Sequence, residues 1–225
     1  MIIAGTSLTH WFTRFGEAEI LLPVAIAVAV WMILSSRSAR TASTWLVPLG
    51  VAATITTISK IAFIGWGIGI ASINFTGFSG HAMFSAAIYP VLAHAFTTHL
   101  RQRGETRVPQ LAIAAAYLFA AAIAYSRVRI GAHSYSEIVT GYALGAAASG
   151  SALWLMGHGL HRMPVRWAVI GLVGWMVVMP LKAAPSQTHG VVTWVALTLA
   201  DRDRPYTRAD LHRAKVAEAE ATPFY

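Results

Sequence analysis

The sequence predicts an all-α protein, a polytopic membrane bundle of about six spanning helices. Three observations predict it. Only 12% of the 225 residues are charged and 56% are hydrophobic, against about 25% charged in an ordinary soluble domain. The mean hydropathy is +0.57. The charge is also gathered in blocks. Uncharged stretches near the roughly 20 residues that a helix needs to cross a bilayer alternate with short clusters rich in arginine.

The first span is expected over about residues 19–34, with Pro23 in its opening turn, where proline is tolerated, and Arg37 and Arg40 after it. A second covers about residues 42–63 and carries Lys60 near its far end. Residues 65–78 are uncharged too, but they hold Gly65, Gly67, Gly69 and Gly77 with Asn74 and Thr76. That composition predicts an irregular, partly buried loop, with another full span as the competing reading. Non-helical backbone survives at membrane depth only where protein or a wet cavity satisfies it. The third span, about residues 81–100, ends at Arg101, Arg103 and Arg107. The fourth, about residues 109–125, leads into a polar turn over residues 126–136. The fifth, about residues 137–156, contains Gly141 and Gly145 at the GxxxG spacing, which lets two helix backbones approach closely. The sixth covers about residues 165–181. Residues 190–200 are apolar but short for a crossing, which predicts an interfacial helix. Residues 201–225 read as a polar C-terminal tail, exposed or loosely ordered, after a single membrane-embedded domain over residues 1–200.

The chain has no cysteine, which removes disulfides and thiolate metal sites from consideration. Its net charge of +8 belongs with anionic headgroups rather than nucleic acid, because arginines flank the spans. No compact apolar core with a small-residue cleavage site opens the chain, so the first apolar run is expected to remain as a span. Trp45 and Trp167 near span ends read as an interfacial belt. With six spans, Arg37, Arg40, Arg101, Arg103, Arg107, Arg162 and Arg166 share one side. The positive-inside rule places that side in the cytoplasm. Lys60, Arg127 and His133 then face outward, on the periplasmic side of a cell inner membrane.

Ionisable groups beside spans are functional suspects. Lys60 ends the second span, Ser79, Gly80 and His81 open the third, and Ser126, Arg127, His133 and Glu137 bracket the turn between the fourth and fifth. All fall on one face and together suit a phosphate. Lys60 and Arg127 supply positive charge, and arginine grips oxyanions bidentately. Ser79 and Gly80 lie at a helix start, where backbone N–H groups favour anions. His81 and His133 can work as acid and nucleophile near neutral pH. Glu137, one helical turn beyond His133, can orient its ring.

These residues resemble the type-2 phosphatidic acid phosphatase family, which shares its catalytic core with vanadium haloperoxidases. That family's pattern is a Lys followed six residues later by Arg-Pro, then Pro-Ser-Gly-His, then Ser-Arg, five residues, His, three residues and Asp. The last motif here is Ser126 to Glu137 at the family spacing, the middle one is Phe78 to His81, and the first keeps only Lys60. The resemblance implies that His133 attacks phosphorus to form a phosphohistidine. It implies that Glu137 takes the place of the orienting Asp and that His81 protonates the leaving group. Lys60, Ser79, Gly80 and Arg127 would bind phosphate oxygens. No metal or other cofactor is implied.

Three departures stand out. Gly67 and Ile68 occupy the Arg-Pro positions, Phe78 replaces Pro, and Glu137 replaces Asp. Arg129 could stand in for the missing Arg if it turned inward, with Ser126 a further candidate. Each residue also has a plainer role. Glu137 completes an S-x-x-E capping box from Ser134; the two roles are not exclusive, though one carboxylate does not point both ways at once. Lys60 could simply reach to the interface. The expected function is a metal-independent membrane phosphatase acting on a lipid phosphate monoester or pyrophosphate. The alternatives are a catalytically impaired lipid-phosphate-binding protein, or a phosphotransferase on the same scaffold.

Overall fold

The computed structural model describes residues 2–101, 103–156 and 188–221, together with Gly171, Gly174, Trp175, Val178 and Met179. The helices are α1 (Ile2–Thr13), α2 (Ala18–Ser36), α3 (Ala39–Trp66), α4 (Gly80–Arg101), α5 (Arg107–Arg129), α6 (Tyr135–Met156), α7 (Thr188–Ala200) and α8 (Arg208–Ala221). Single 3-10 turns lie at Arg14–Gly16 and Ala71–Ile73. Among the described residues the sole β pairing is an isolated bridge between Ile70 and Phe75.

Among the described residues, four segments are long and apolar enough to cross a membrane: Leu8–Leu34, Ala39–Trp66, Arg107–Arg129 and Tyr135–Met156. This is the build of a membrane protein, and these segments account for four of the about six expected spans. The expected third span is present as α4 but is not among the four. Its position explains the difference. α4 packs against α2, α3, α5 and α6 and buries Met83, Ser85, Ile88, Val91 and His94. An enclosed helix needs no lipid-facing apolar surface, so it tolerates Ser and His. The expected sixth span, residues 165–181, lies almost wholly outside the described residues, as does Trp167.

Local sequence sets the helix ends. Ser38 caps α3 by accepting the Arg40 N–H at 3.3 Å. At its other end Gly67 adopts φ 71°, and the Gly67 and Ile68 N–H groups return to Phe63 and Ala62 carbonyls. The Gly67 to Phe63 bond is that of the left-handed αL ending, which favours glycine. Residues 67–79 then form the irregular loop, with Asn74 also left-handed at φ 53°. Pro23 is the sixth residue of α2 rather than part of its first turn. Trp45 is fully buried and donates its indole N–H to the Ala87 carbonyl at 3.1 Å. It is a core residue rather than part of an interfacial belt, because the single indole donor finds a partner inside.

α4 and α6 meet at the small residues. A Cβ on Gly141 would lie 2.6 Å from the Ser79 carbonyl oxygen, and one on Gly145 would overlap the Met83 carbonyl. Gly150, on the same helix, has nothing within 4 Å of that position. α7 is too short to cross, and it packs on α3 with Ala196 buried against Gly65. The tail expected to be loosely ordered instead contains α8. Thr207 and Asp210 cap it reciprocally, the Thr207 N–H donating to Asp210 Oδ2 at 2.9 Å and the Asp210 N–H to Thr207 Oγ1 at 3.3 Å.

Gly145→Ala should lower stability in detergent by about 1–3 kcal/mol, the usual cost of overpacking. Gly150→Ala should leave stability unchanged or raise it by up to about 1 kcal/mol. Thermal unfolding of the two variants beside the wild type checks the contrast.

Candidate active site

The C-terminal ends of α3 and α5 and the N-terminal ends of α4, α6 and α7 converge at one end of the bundle. Between them lies a cavity of about 820 Å³ whose lining includes Lys60, Gly80, His81, Arg127, His133 and Arg208. Residues more than sixty positions apart in sequence therefore share one wall.

Glu137 organises this wall. It is fully buried, and a buried carboxylate is costly unless hydrogen-bonded. Its Oε2 lies 2.7 Å from His133 Nδ1, accepts the Ser134 N–H at 3.1 Å and accepts from Arg208 Nη2 at 2.5 Å. Its Oε1 accepts from the Thr76 N–H at 2.8 Å and from the Thr76 hydroxyl. The Ser134 hydroxyl in turn accepts the Glu137 N–H at 3.3 Å. The capping box and the histidine contact are thus made together. The two roles coexist because Ser134 and His133 approach the same oxygen.

A carboxylate only accepts, so the proton of His133 sits on Nδ1. Its Nε2 keeps the lone pair, and the residue lines the cavity. Burial draws the His133 imidazole below its ordinary value of 6.5. The hydrogen bond and charge of Glu137 oppose this, while Lys60 and Arg127 add to the lowering. The ring is therefore neutral at pH 7, as a nitrogen nucleophile must be.

Arg127 donates from Nη1 to the Thr13 hydroxyl at 3.1 Å, and its buried Nε has no hydrogen-bond partner among the described residues. Lys60 reaches over Gly80: a Cβ there would lie 3.5 Å from Nζ. His81 packs against Gly16, where a Cβ would come within 3.1 Å of the His81 side chain and 2.7 Å of Ile123. Gly16 is thus required by close approach, a role its sequence context does not announce.

Three expected residues are placed elsewhere. Ser79 is fully buried behind the cavity, with its N–H given to the Glu137 carbonyl at 3.1 Å and its hydroxyl 3.5 Å from the Ala82 N–H. Ser126 is buried and donates to the Ile123 carbonyl at 2.6 Å. Arg129 is exposed and does not line the cavity. Residues missed from sequence are Thr13, Thr76, His189 and Arg208. Thr207 and Asp210, at capping-box spacing, carried a signal for the last of these.

Among the described residues no group of three His, Asp or Glu side chains is arranged to hold a metal ion. Cationic and imidazole side chains line the cavity beside threonine hydroxyls, a set of donors that attracts an anion.

NMR titration of His133 in micelles should give a midpoint below 6.5. Glu137→Gln should move it lower still, because the carboxylate raises it. A midpoint that rises in Glu137→Gln would contradict the assigned contact.

A family model described as the PAP2 superfamily matches residues 71–161. The chain is also 36% identical over 207 residues to a protein of Klebsiella pneumoniae described as an uncharacterized 22.5 kDa protein in cps region, covering 88% of this chain and 95% of that one. No solved structure matches significantly. The matched stretch contains His81, Arg127, His133 and Glu137 and leaves Lys60 ahead of it. The chain belongs to the PAP2 superfamily, the type-2 phosphatidic acid phosphatases that its motifs resemble.

Proposed function

We propose that this protein hydrolyses a lipid phosphate, monoester or pyrophosphate, through a phosphohistidine on His133. Membership of the superfamily brings phosphatase-type chemistry on phosphate esters. The observation that carries the finer reading is the shape of the cavity. Its lining on α3 includes Ala53, Thr56, Thr57 and Lys60, which share one helix face. Lys60 to Ala53 spans about 10 Å of helix, directed toward the middle of the span. Leu22, Phe84 and Val192 line the same space. A cationic end continuous with an apolar channel fits a phosphate headgroup joined to a hydrocarbon chain.

In this scheme Lys60 and Arg127 hold the phosphoryl oxygens. His133 Nε2 attacks phosphorus, the N–P bond forms, and the P–O bond to the leaving group breaks. His81 donates a proton to the departing oxygen. Glu137 holds Nδ1–H and stabilises the positive charge that develops on the ring. Water then attacks phosphorus, His81 takes back a proton, and the N–P bond breaks to release phosphate and free His133. No step in this sequence calls on a metal.

We also place the site on the outer, periplasm-like face of a cell inner membrane. Arg37, Arg40, Arg101, Arg103 and Arg107 occupy the connections at the opposite end, and short-loop arginines favour the cytoplasm. The absence of cysteine makes this accessible to labelling. Ser72→Cys, at the site end, should react with an impermeant thiol reagent added to intact cells. Glu105→Cys should react only after the membrane is broken. The reverse pattern would put the site inside.

Purified protein in detergent with EDTA should release phosphate from long-chain lipid phosphates or pyrophosphates. His133→Ala should lower the rate by about 10⁴-fold or more, as loss of a nucleophile does, while keeping its thermal midpoint. Equal turnover of a short soluble phosphate ester would remove the argument from the apolar channel. Turnover by a folded His133→Ala protein would remove the mechanism.

A further inference from the structure

The cavity has a cation that no motif supplies. Arg208 is the first residue of α8, 141 positions beyond Gly67 where the resemblance expects arginine. We propose that Arg208 is the third phosphate-binding cation of the site, and that residues 205–208 replace the lost end of the first motif. The inference rests on the site proposed above being a phosphate site.

The replacement is legible at Gly67 itself. Its left-handed φ of 71° terminates α3, and arginine would be strained there. A Cβ at this position would also meet the Tyr206 ring at 3.0 Å. Tyr206 occupies that space, and its N–H donates to the Ile64 carbonyl at 2.9 Å, tying the C-terminal segment to the end of α3. The Arg202 guanidinium lies 4.0 Å from the centre of the Tyr206 ring, a cation–π contact that holds the ring from its own side of the chain. Pro205, Tyr206, Thr207 and Arg208 all line the cavity.

The reciprocal cap between Thr207 and Asp210 then fixes where α8 begins, and so fixes Arg208. Its Nη2 donates to Glu137 Oε2 at 2.5 Å and its Nη1 approaches the Asn74 carbonyl at 3.4 Å. His212 Nε2 lies 3.2 Å from Asn74 Oδ1, so α8 holds the loop at a second point. A guanidinium carries five donors in a fixed plane. The two contacts orient that plane at the cavity wall beside His133 and leave donors for an oxyanion. Glu137 anchors the cation and does not neutralise the site, since Lys60 and Arg127 share the same lining.

The test is binding of inorganic phosphate to full-length protein in detergent, followed by calorimetry, with KM for a lipid phosphate measured in parallel. Arg208→Ala should weaken phosphate binding tenfold or more and raise KM by a similar factor. Arg208→Gln keeps an amide donor for Glu137 but loses the charge, and should show the same loss. Arg208→Lys should recover part of it. Wild-type phosphate affinity in either the Ala or the Gln variant, folded by its thermal midpoint, overturns the inference. So does a fall in kcat at unchanged KM and unchanged phosphate affinity, which would make Arg208 a positioning residue acting through Glu137. A wild type that binds phosphate, loses it in Arg208→Gln and hydrolyses no lipid would keep this inference and sink the hydrolase proposal. Hydrolysis with unaltered phosphate binding in the variants would do the opposite.

Discussion

The buried Glu137 carboxylate is the constraint on which the rest of the site depends. Five donors from three separate stretches of chain meet on its two oxygens: Thr76 twice from the loop after α3, His133 and Ser134 from the turn before α6, and Arg208 from α8. A carboxylate taken from water must recover its solvation from the protein. Each donor that contributes to this recovery is thereby fixed in space. The loop, the helix start, His133 and the C-terminal segment are ordered by one requirement. Removing the charge would release all of them together, so the contributions of these contacts cannot be added as independent terms.

Glu137 is itself placed by small residues. Its carbonyl accepts the Ser79 N–H at 3.1 Å, a contact that requires the start of α4 to touch α6. Gly141, one helical turn below, allows that approach because a side chain there would strike Ser79. Gly145 extends the contact to Met83. The packing of α4 on α6 and the position of the Glu137 carboxylate are thus one geometric fact. Gly16 plays the matching part for His81, allowing the chain entering α2 to lie against the imidazole. Close backbone approach, rather than bulk apolar burial, sets the distances in this end of the bundle.

What was legible in the sequence was what is local or periodic. The charged ends of the apolar stretches located Lys60, His81, Arg127, His133 and Glu137, and the glycines of residues 65–78 announced an irregular loop. What was not legible depends on tertiary placement. Ser79 had the right type and spacing for an anion site, but its N–H is spent on Glu137. Arg129 had the right charge, but two residues from Arg127 on a helix it faces another way and is exposed. Arg208 belonged to a segment whose polarity suggested a free tail. Only the buried partner 71 residues away reveals its place. The expected third span falls outside the four apolar segments for a related reason: α4 is enclosed by protein.

In the reaction proposed for this site, its charges explain why a neutral nucleophile and an anionic substrate go together. Lys60, Arg127 and Arg208 line the cavity. Glu137 offsets part of that charge, and Glu17, near Arg127, is shared with Arg14 at 3.4 Å. The surplus is positive, and its field opposes protonation of His133. A phosphate dianion reverses this balance. It compensates the buried cations, including the Arg127 Nε that has no hydrogen-bond partner among the described residues. It also makes a positive imidazole less costly, as the ring becomes once Nε2 bonds to phosphorus. The same cations that keep the lone pair available before attack therefore favour the charge distribution after it. Arg208 adds positive charge to the same cavity lining, and its tie to Glu137 fixes its direction. A lysine at this place could supply the charge but not the planar fork that serves the carboxylate and an oxyanion at once.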